Sequence, residues 1–175
     1  MSQTRVAPTQ GAGRGLLLDL GGIDLGAVVA STADVERVNP HRHEMRLLDR
    51  VIWMAEDETA AVGALDPNPD AFWVRGHFPT RATMPGVLMV EAGAQLACFL
   101  WNTRQDVPRL AAFLRIDDAV FRRAVAPTET LLLLCKEVKY NKKRFITEVQ
   151  GVVENQIAFS ARVSGLAMEE HVTKA

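Results

Sequence analysis

Two residues of this chain have the types and the setting for proton-transfer chemistry. His77 lies in the stretch Arg75-Gly76-His77-Phe78-Pro79-Thr80, punctuated by glycine and proline. Glu91 lies one turn inside an apolar run that begins after Pro85-Gly86, and between Arg81 and Arg104 it is the only charged residue. A carboxyl in such surroundings is costly to bury unless it is paired, protonated or used. A histidine and an apolar-embedded glutamate are the parts of a general acid–base pair working near neutral pH. Each residue alone has a plainer reading, a core histidine in a turn and a glutamate on a solvated helix face. Glu91 fits the plainer one poorly, because it has no cationic residue within a turn and its helix has no evident polar face.

The element that must position Glu91 is a helix over residues 86–102. Pro85 suits its start, where a missing N–H is no loss. Val87, Val90, Glu91, Ala94, Cys98 and Trp101 share one face at spacings of three, four and seven. The remaining faces carry Leu88, Met89, Leu96, Phe99 and Leu100, so the helix is apolar nearly all round and has to be wrapped by the rest of the protein or by a partner. Residues 82–101 are too interrupted, by Pro85, Gly86, Glu91, Gly93 and Gln95, to read as a membrane span.

Strand-like segments surround this helix. Before it come 46–55, 59–66 and a short strand over 71–75 that leads into the His77 loop, with Asp66-Pro67-Asn68-Pro69-Asp70 as a turn cluster. After it come 110–116, 119–125, 130–140, 144–154 and 156–167, with turns at Pro127-Thr128-Glu129 and Tyr140–Lys143 and a tight hairpin at Glu154-Asn155-Gln156. A short helix runs over 34–38. Residues 1–15, rich in Gly, Thr, Gln and Pro, are expected to be disordered. Residues 16–33 are interrupted by glycine and either cover part of the core or wander. The division expected is an N-terminal extension over 1–33, a domain over 34–168 and a flexible tail over 169–175. One buried helix with five to seven antiparallel strands is an α+β layout in which a sheet wraps a central helix.

Composition narrows the function. The chain has 175 residues, 48% hydrophobic and 23% charged, with a net charge of −1. That is one soluble globular domain without the electrostatic footprint of a nucleic-acid or anionic-membrane binder. The basic run Lys139–Arg144 reads as a solvated hairpin turn, with docking of an acidic carrier or a phosphorylated ligand as its functional alternative. The two cysteines, Cys98 and Cys135, sit in apolar runs as free thiols and have no second cysteine or histidine at metal-ligand spacing. No metal is expected. No secretory signal pattern is present, which points to the cytoplasm.

The motifs, taken in order, resemble a known family. Pro40-His41-Arg42 followed by Leu47-Leu48-Asp49-Arg50-Val51, then Gly76-His77-Phe78-Pro79, Met84-Pro85-Gly86-Val87-Leu88, Glu91-Ala92 with Ala94-Gln95, and Ile116-Asp117 with Phe121-Arg122-Arg123, Val125 and Pro127, are similar to the β-hydroxyacyl-acyl-carrier-protein dehydratases of fatty acid synthesis. The resemblance spans residues 34–167 in register. It implies the hotdog fold and a homodimer in which His77 of one subunit faces Glu91 of the other. A trimer of dimers is common in the family. Glutamate rather than aspartate at position 91 points to the simple dehydratase branch. The chain departs from the family pattern at Thr80-Arg81-Ala82, at His43-Glu44-Met45 and at Ala124, as a divergent member does.

The activity implied is dehydration of a 3-hydroxyacyl thioester, carried on acyl carrier protein or coenzyme A, to a trans-2-enoyl thioester. A base must reach the α-carbon, an acid the β-hydroxyl, and a donor the thioester oxygen. His77 and Glu91 supply the proton transfers, with Glu91 suited to the acid role if its apolar setting keeps it protonated. Gly86, at the helix start, offers unpaired N–H groups and room for a thioester. Gln95, four residues after Glu91, is placed to orient its carboxyl or a water. Phe78 and Met84 read as pocket lining, and His41 and His43 as structural or surface groups. No cofactor is needed for such an elimination. The alternatives are a hotdog thioesterase and a non-catalytic acyl-binding subunit.

Overall fold

The computed structural model describes residues 15–171. Its elements are α1 (Thr32–Val38), a single 3₁₀ turn at His43–Met45, β1 (Arg50–Met54), β2 (Ala60–Leu65), α2 (Gly86–Asn102), β3 (Arg109–Phe121), β4 (Leu131–Asn141), β5 (Arg144–Val153) and β6 (Gln156–His171). The strands form one antiparallel sheet in the order β1-β2-β4-β5-β6-β3. Helix α2 lies against one face of that sheet, as its all-round apolarity predicts. Met89, Leu96, Phe99, Leu100 and Trp101 are buried with Leu131, Leu133, Val149 and Phe159 of the strands. Each such side chain, fully removed from water, contributes about 1.5–3 kcal/mol. Gly93 sits where the helix comes nearest the sheet, and a Cβ there would stand 3.1 Å from both Phe159 and Val149.

The two ends of α2 are secured differently. At the start, Pro85 provides no side-chain cap, and its carbonyl accepts the N–H groups of Leu88 and Met89. At the end, the buried Asn102 donates from Nδ2 to the carbonyls of Val38 and Arg109 and accepts the Arg109 N–H at Oδ1. One amide thus ties α1, α2 and the start of β3 together. Trp101 adds a 3.0 Å hydrogen bond from its indole to the Asn141 carbonyl. Helix α1 carries a complete capping box, Ser31 with Asp34, of the kind that satisfies two otherwise orphaned donors.

Three expectations change. Residues 71–75 do not form a strand: the N–H groups of Ala71, Val74 and Gly76 bond to carbonyls three residues back, and Trp73 turns inward and is buried. Apolar residues in a row satisfy a series of tight turns as well as a strand when one of them reaches the core. Segments 110–116 and 119–125 are not two strands. β3 runs unbroken from Arg109 to Phe121, absorbing Asp117-Asp118 as a bulge with Asp118 at φ 52°. The stretch from Glu169 does not leave the sheet at once, because β6 continues to His171. The hairpin between β5 and β6 does form at Glu154-Asn155, both at positive φ as a two-residue type I′ turn requires.

The segment 16–33 covers rather than wanders. Leu16, Leu17, Leu18, Leu20 and Ile23 pack on Ile52, Val62, Ala64, Leu134 and Val152, on a second apolar cluster separate from the one around α2. Gln150 secures it, accepting the Leu17 N–H at 2.9 Å and donating to the Gly15 carbonyl at 3.0 Å. The expectation of disorder over 1–14, and the end of the tail beyond 171, lie outside the described residues.

Candidate active site

His77 is held by Thr83 at two points. The Thr83 N–H donates to the His77 carbonyl at 2.8 Å, and the Thr83 carbonyl lies 2.7 Å from His77 Nδ1. A carbonyl only accepts, so Nδ1 carries the hydrogen, and it is the neutral form of the ring that offers a lone pair at Nε2. The Phe78 ring stacks on the imidazole at 4.0 Å between centroids. His77 borders an open cavity that also takes in Met84, Pro85, Gly86, Val87 and Phe121. Gly86 and Val87 open α2, at the end of the helix where N–H groups lack intrahelical partners. The space over Gly86 is not empty, however. A Cβ there would meet the Phe121 ring at 2.8 Å, so the close approach glycine permits is to this ring.

Glu91 occupies a different cavity of about 190 Å³, bordered by His41, Gln95 and Cys98 and closed on the far side by β3, β5 and β6. Gln95 Nε2 donates to Glu91 Oε1 at 2.9 Å, and His41 Nε2 stands 3.3 Å from the same oxygen. Burial pushes the Glu91 carboxyl up, but the hydrogen bonds from His41 and Gln95 and the charge interaction with His41 outweigh it and hold the carboxyl below its usual range. Within one protomer this favours the ionised carboxylate, whereas the acid role was expected of Glu91 only if its apolar setting kept it protonated. The physical reason is a partner from outside the helix. One protomer does not bring His77 and Glu91 into one cavity.

His41 is the residue that sequence reasoning assigned elsewhere, as structural or surface. Its loop is bolted to α2 through Gln95. Asn39 Nδ2 donates to the Gln95 carbonyl, Gln95 Oε1 accepts the Leu47 N–H, and Gln95 Nε2 donates to the Met45 carbonyl, each at 2.8 Å. Arg42 braces the loop from behind by donating to the carbonyls of Glu36, Asn39 and His41. The one signal in the sequence was the Pro40-His41-Arg42 motif. His43 lies instead in a separate cavity with Trp73 and Glu129. Among the described residues no group of three or more His, Cys, Asp or Glu is placed to hold a metal ion, and no helix is long and apolar enough to cross a membrane.

A long helix wrapped by an antiparallel sheet, with a histidine loop at the helix start and a glutamate inside it, defines a hotdog-fold protein. Solved structures with the same architecture include the dehydratase heterocomplex ApeI:P from Xenorhabdus doucetiae, at a TM-score of 0.63 and 18% identity, covering 77% of this chain and 91% of that one. The phenylacetic acid degradation protein PaaI from Thermus thermophilus matches at a TM-score of 0.51 and 17% identity over 68% of this chain and 92% of its own. The chain belongs to the FabA-like family, whose domain model matches residues 39–162 and so takes in His41, His77, Glu91 and Gln95. Its curated relatives include the 3-hydroxyacyl-[acyl-carrier-protein] dehydratases FabZ of Coxiella burnetii, 33% identical over 77% of this chain and 95% of the relative, and of Brucella abortus, 35% identical over 73% and 84%.

Proposed function

We propose that this protein is a hydro-lyase that dehydrates 3-hydroxyacyl thioesters on acyl carrier protein to trans-2-enoyl thioesters in fatty acid or related lipid biosynthesis. The observation that carries the reading is the FabA-like match together with relatives named for that reaction over nearly their full length. His77, with Nε2 bare, takes the proton from the α-carbon. The β-hydroxyl leaves as water with one proton delivered by the His77–Glu91 pair, which ends in its starting protonation state. The thioester oxygen, gaining charge as the α-proton departs, is stabilised by N–H groups at the start of α2.

The site needs two protomers. β3 is an edge strand, and Phe113, Leu114, Ile116, Val120 and Phe121 along it are exposed. Such a strand is a template for pairing with a second copy. A dimer built on β3 covers these side chains and carries the partner's histidine loop toward the cavity that β3 borders beside Glu91. Further burial there pushes the Glu91 carboxyl back up, toward the protonated form an acid requires. A trimer of dimers is the higher assembly this family reading brings with it. A cytoplasmic location agrees with two buried free thiols.

One observation favours a second reading: a carboxylate held ionised is also what a water-activating thioesterase uses. Ultraviolet absorbance with 3-hydroxyacyl and trans-2-enoyl thioesters, run beside a thiol-trapping assay, separates the two. Enoyl formation lost in both His77→Ala and Glu91→Gln supports dehydration. Release of free thiol without enoyl formation overturns it in favour of hydrolysis.

A further inference from the structure

We propose that His41 is a positioning residue for Glu91: its Nε2, 3.3 Å from one carboxyl oxygen, holds that oxygen together with Gln95 so that the other is presented to the substrate. This rests on the dehydratase reading for its functional meaning, though not for its geometry. The carboxyl's Oε1 is held from two sides, by Gln95 Nε2 at 2.9 Å and by His41 Nε2 at 3.3 Å. A carboxylate only accepts, so Nε2 of His41 bears the hydrogen. With both donors converging on Oε1, the carboxyl cannot rotate about its terminal torsion without breaking both contacts. Terminal sp² torsions are otherwise broad, so a lone buried carboxyl would sample many orientations.

The histidine is itself placed with little freedom. Pro40 precedes it and restricts the backbone, and Arg42 holds its carbonyl and those of Glu36 and Asn39. The side-chain atom Nδ1 is buried without a hydrogen-bond partner among the described residues. The polar contact of the His41 ring is therefore the one to Glu91. A buried ring nitrogen left unpartnered is destabilising, and the ring's place here is understandable if it is needed for what Nε2 does. The groups facing Glu91 across the cavity from β3, β5 and β6, including Ala111, Phe113, Phe145 and Ser164, bear no charge; the titratable lining is His41, Glu91 and Cys98. Within one protomer the polar side chains that act on the Glu91 carboxyl are thus His41 and Gln95. The direction agrees, since the hydrogen bond from His41 is the largest of the influences that lower it.

The test uses His41→Gln and His41→Asn in the full chain. Glutamine can bring an amide N–H to the position of Nε2, and asparagine, one carbon shorter, cannot. Carbon-13 NMR of the Glu91 carboxyl gives its titration midpoint, and kcat and KM are measured with a 3-hydroxyacyl thioester. Thermal unfolding of each variant is compared with the parent. The expected result is an upward shift of the Glu91 midpoint in His41→Asn, a kcat lower by about 10-fold as for other residues that orient an active group through one hydrogen bond, and KM unchanged within about 2-fold. His41→Gln stays near the parent in all three. An unmoved Glu91 midpoint in a folded His41→Asn overturns the proposal, as does His41→Gln behaving like His41→Asn. A parent without dehydratase activity whose Glu91 midpoint still shifts in His41→Asn sinks the dehydratase reading and leaves the positioning intact.

Discussion

Gln95 and Glu91, one helical turn apart on α2, are joined by a 2.9 Å hydrogen bond whose donor amide is oriented from elsewhere in the fold. Gln95 is buried, its Oε1 taken by the Leu47 N–H and its Nε2 shared between Glu91 and the Met45 carbonyl. The assignment of oxygen and nitrogen follows from these partners, because only one orientation satisfies a donor at Leu47 and an acceptor at Met45. The amide thereby couples the loop before β1 to the candidate active site.

Replacing Gln95 by leucine therefore damages stability and site together. The Leu47 N–H and the Met45 carbonyl lose their partner, at about 1–3 kcal/mol for each buried group left unsatisfied. Urea unfolding should show a loss of roughly 2–6 kcal/mol, and the Glu91 carboxyl should rise, since one of the hydrogen bonds lowering it is gone. A variant as stable as the parent would mean that the loop finds other partners.

The helix was legible in the sequence to the residue, 86–102, because Pro85 marks its start and its apolarity is continuous. The strands of the second half were legible in number and place wherever a turn residue separated them, as at Asn155. β3 was not, because Asp117-Asp118 looks like a turn and a bulge uses the same residues. The site was half legible. His77, Glu91 and Gln95 stood out by type and spacing. The His41–Glu91 contact did not, since it joins residues far apart in the chain and nothing in local periodicity encodes it. For the same reason the condition set on Glu91's acid role could not be decided from the helix alone: its apolarity favours a neutral acid, and His41, which opposes this together with Gln95, comes from another part of the chain.

Glu129 provides a test of pH-dependent stability away from the site. Its carboxyl accepts two hydrogen bonds from Arg123, at 2.7 and 3.2 Å, and one from the Ala126 N–H at 2.8 Å. Hydrogen bonding from Arg123, then from Ala126, holds it below the ordinary glutamate value of 4.5, against a smaller opposing effect of burial. A depressed folded value stabilises the protein above the unfolded value and is lost as pH falls through the folded one. The parent should thus unfold at higher urea than Glu129→Gln at pH 7, and the gap should narrow below about pH 4.5. A gap that is constant down to pH 3 would show that the bonds matter for shape and not for charge.

Cys98 and Cys135 are both buried, and burial pushes both thiols up to about 12. The thiolate is the reactive form, so neither should react with a thiol reagent at pH 8 until the protein unfolds. Cys98 borders the Glu91 cavity and Cys135 does not. Ellman's reagent should count no thiols in the native protein and two in denaturant. Selective labelling of Cys98 in the native state would show that the cavity opens to solvent far more than its walls suggest.

Gln150 decides whether the leucine-rich segment before α1 is an integral layer or a removable one. Its side chain holds Leu17 and Gly15 to the outer cluster by two hydrogen bonds, while the leucines contribute the apolar contact. Gln150→Val keeps a good strand former in β5 and removes both bonds, each worth about 0.5–1.5 kcal/mol net. Because residues 15–23 lie on the face of the sheet, and the segment joins the strand ladder only later, where Ala30 bridges to Val51, opening of 15–23 is local and need not unfold the domain. Amide exchange at residues 15–23 should therefore speed up by about 10-fold or more, the equivalent of the lost bonds, while the urea midpoint of the domain moves little. If the midpoint falls as far as the local protection does, the segment is part of the cooperative core and the outer face of the sheet cannot exist without it.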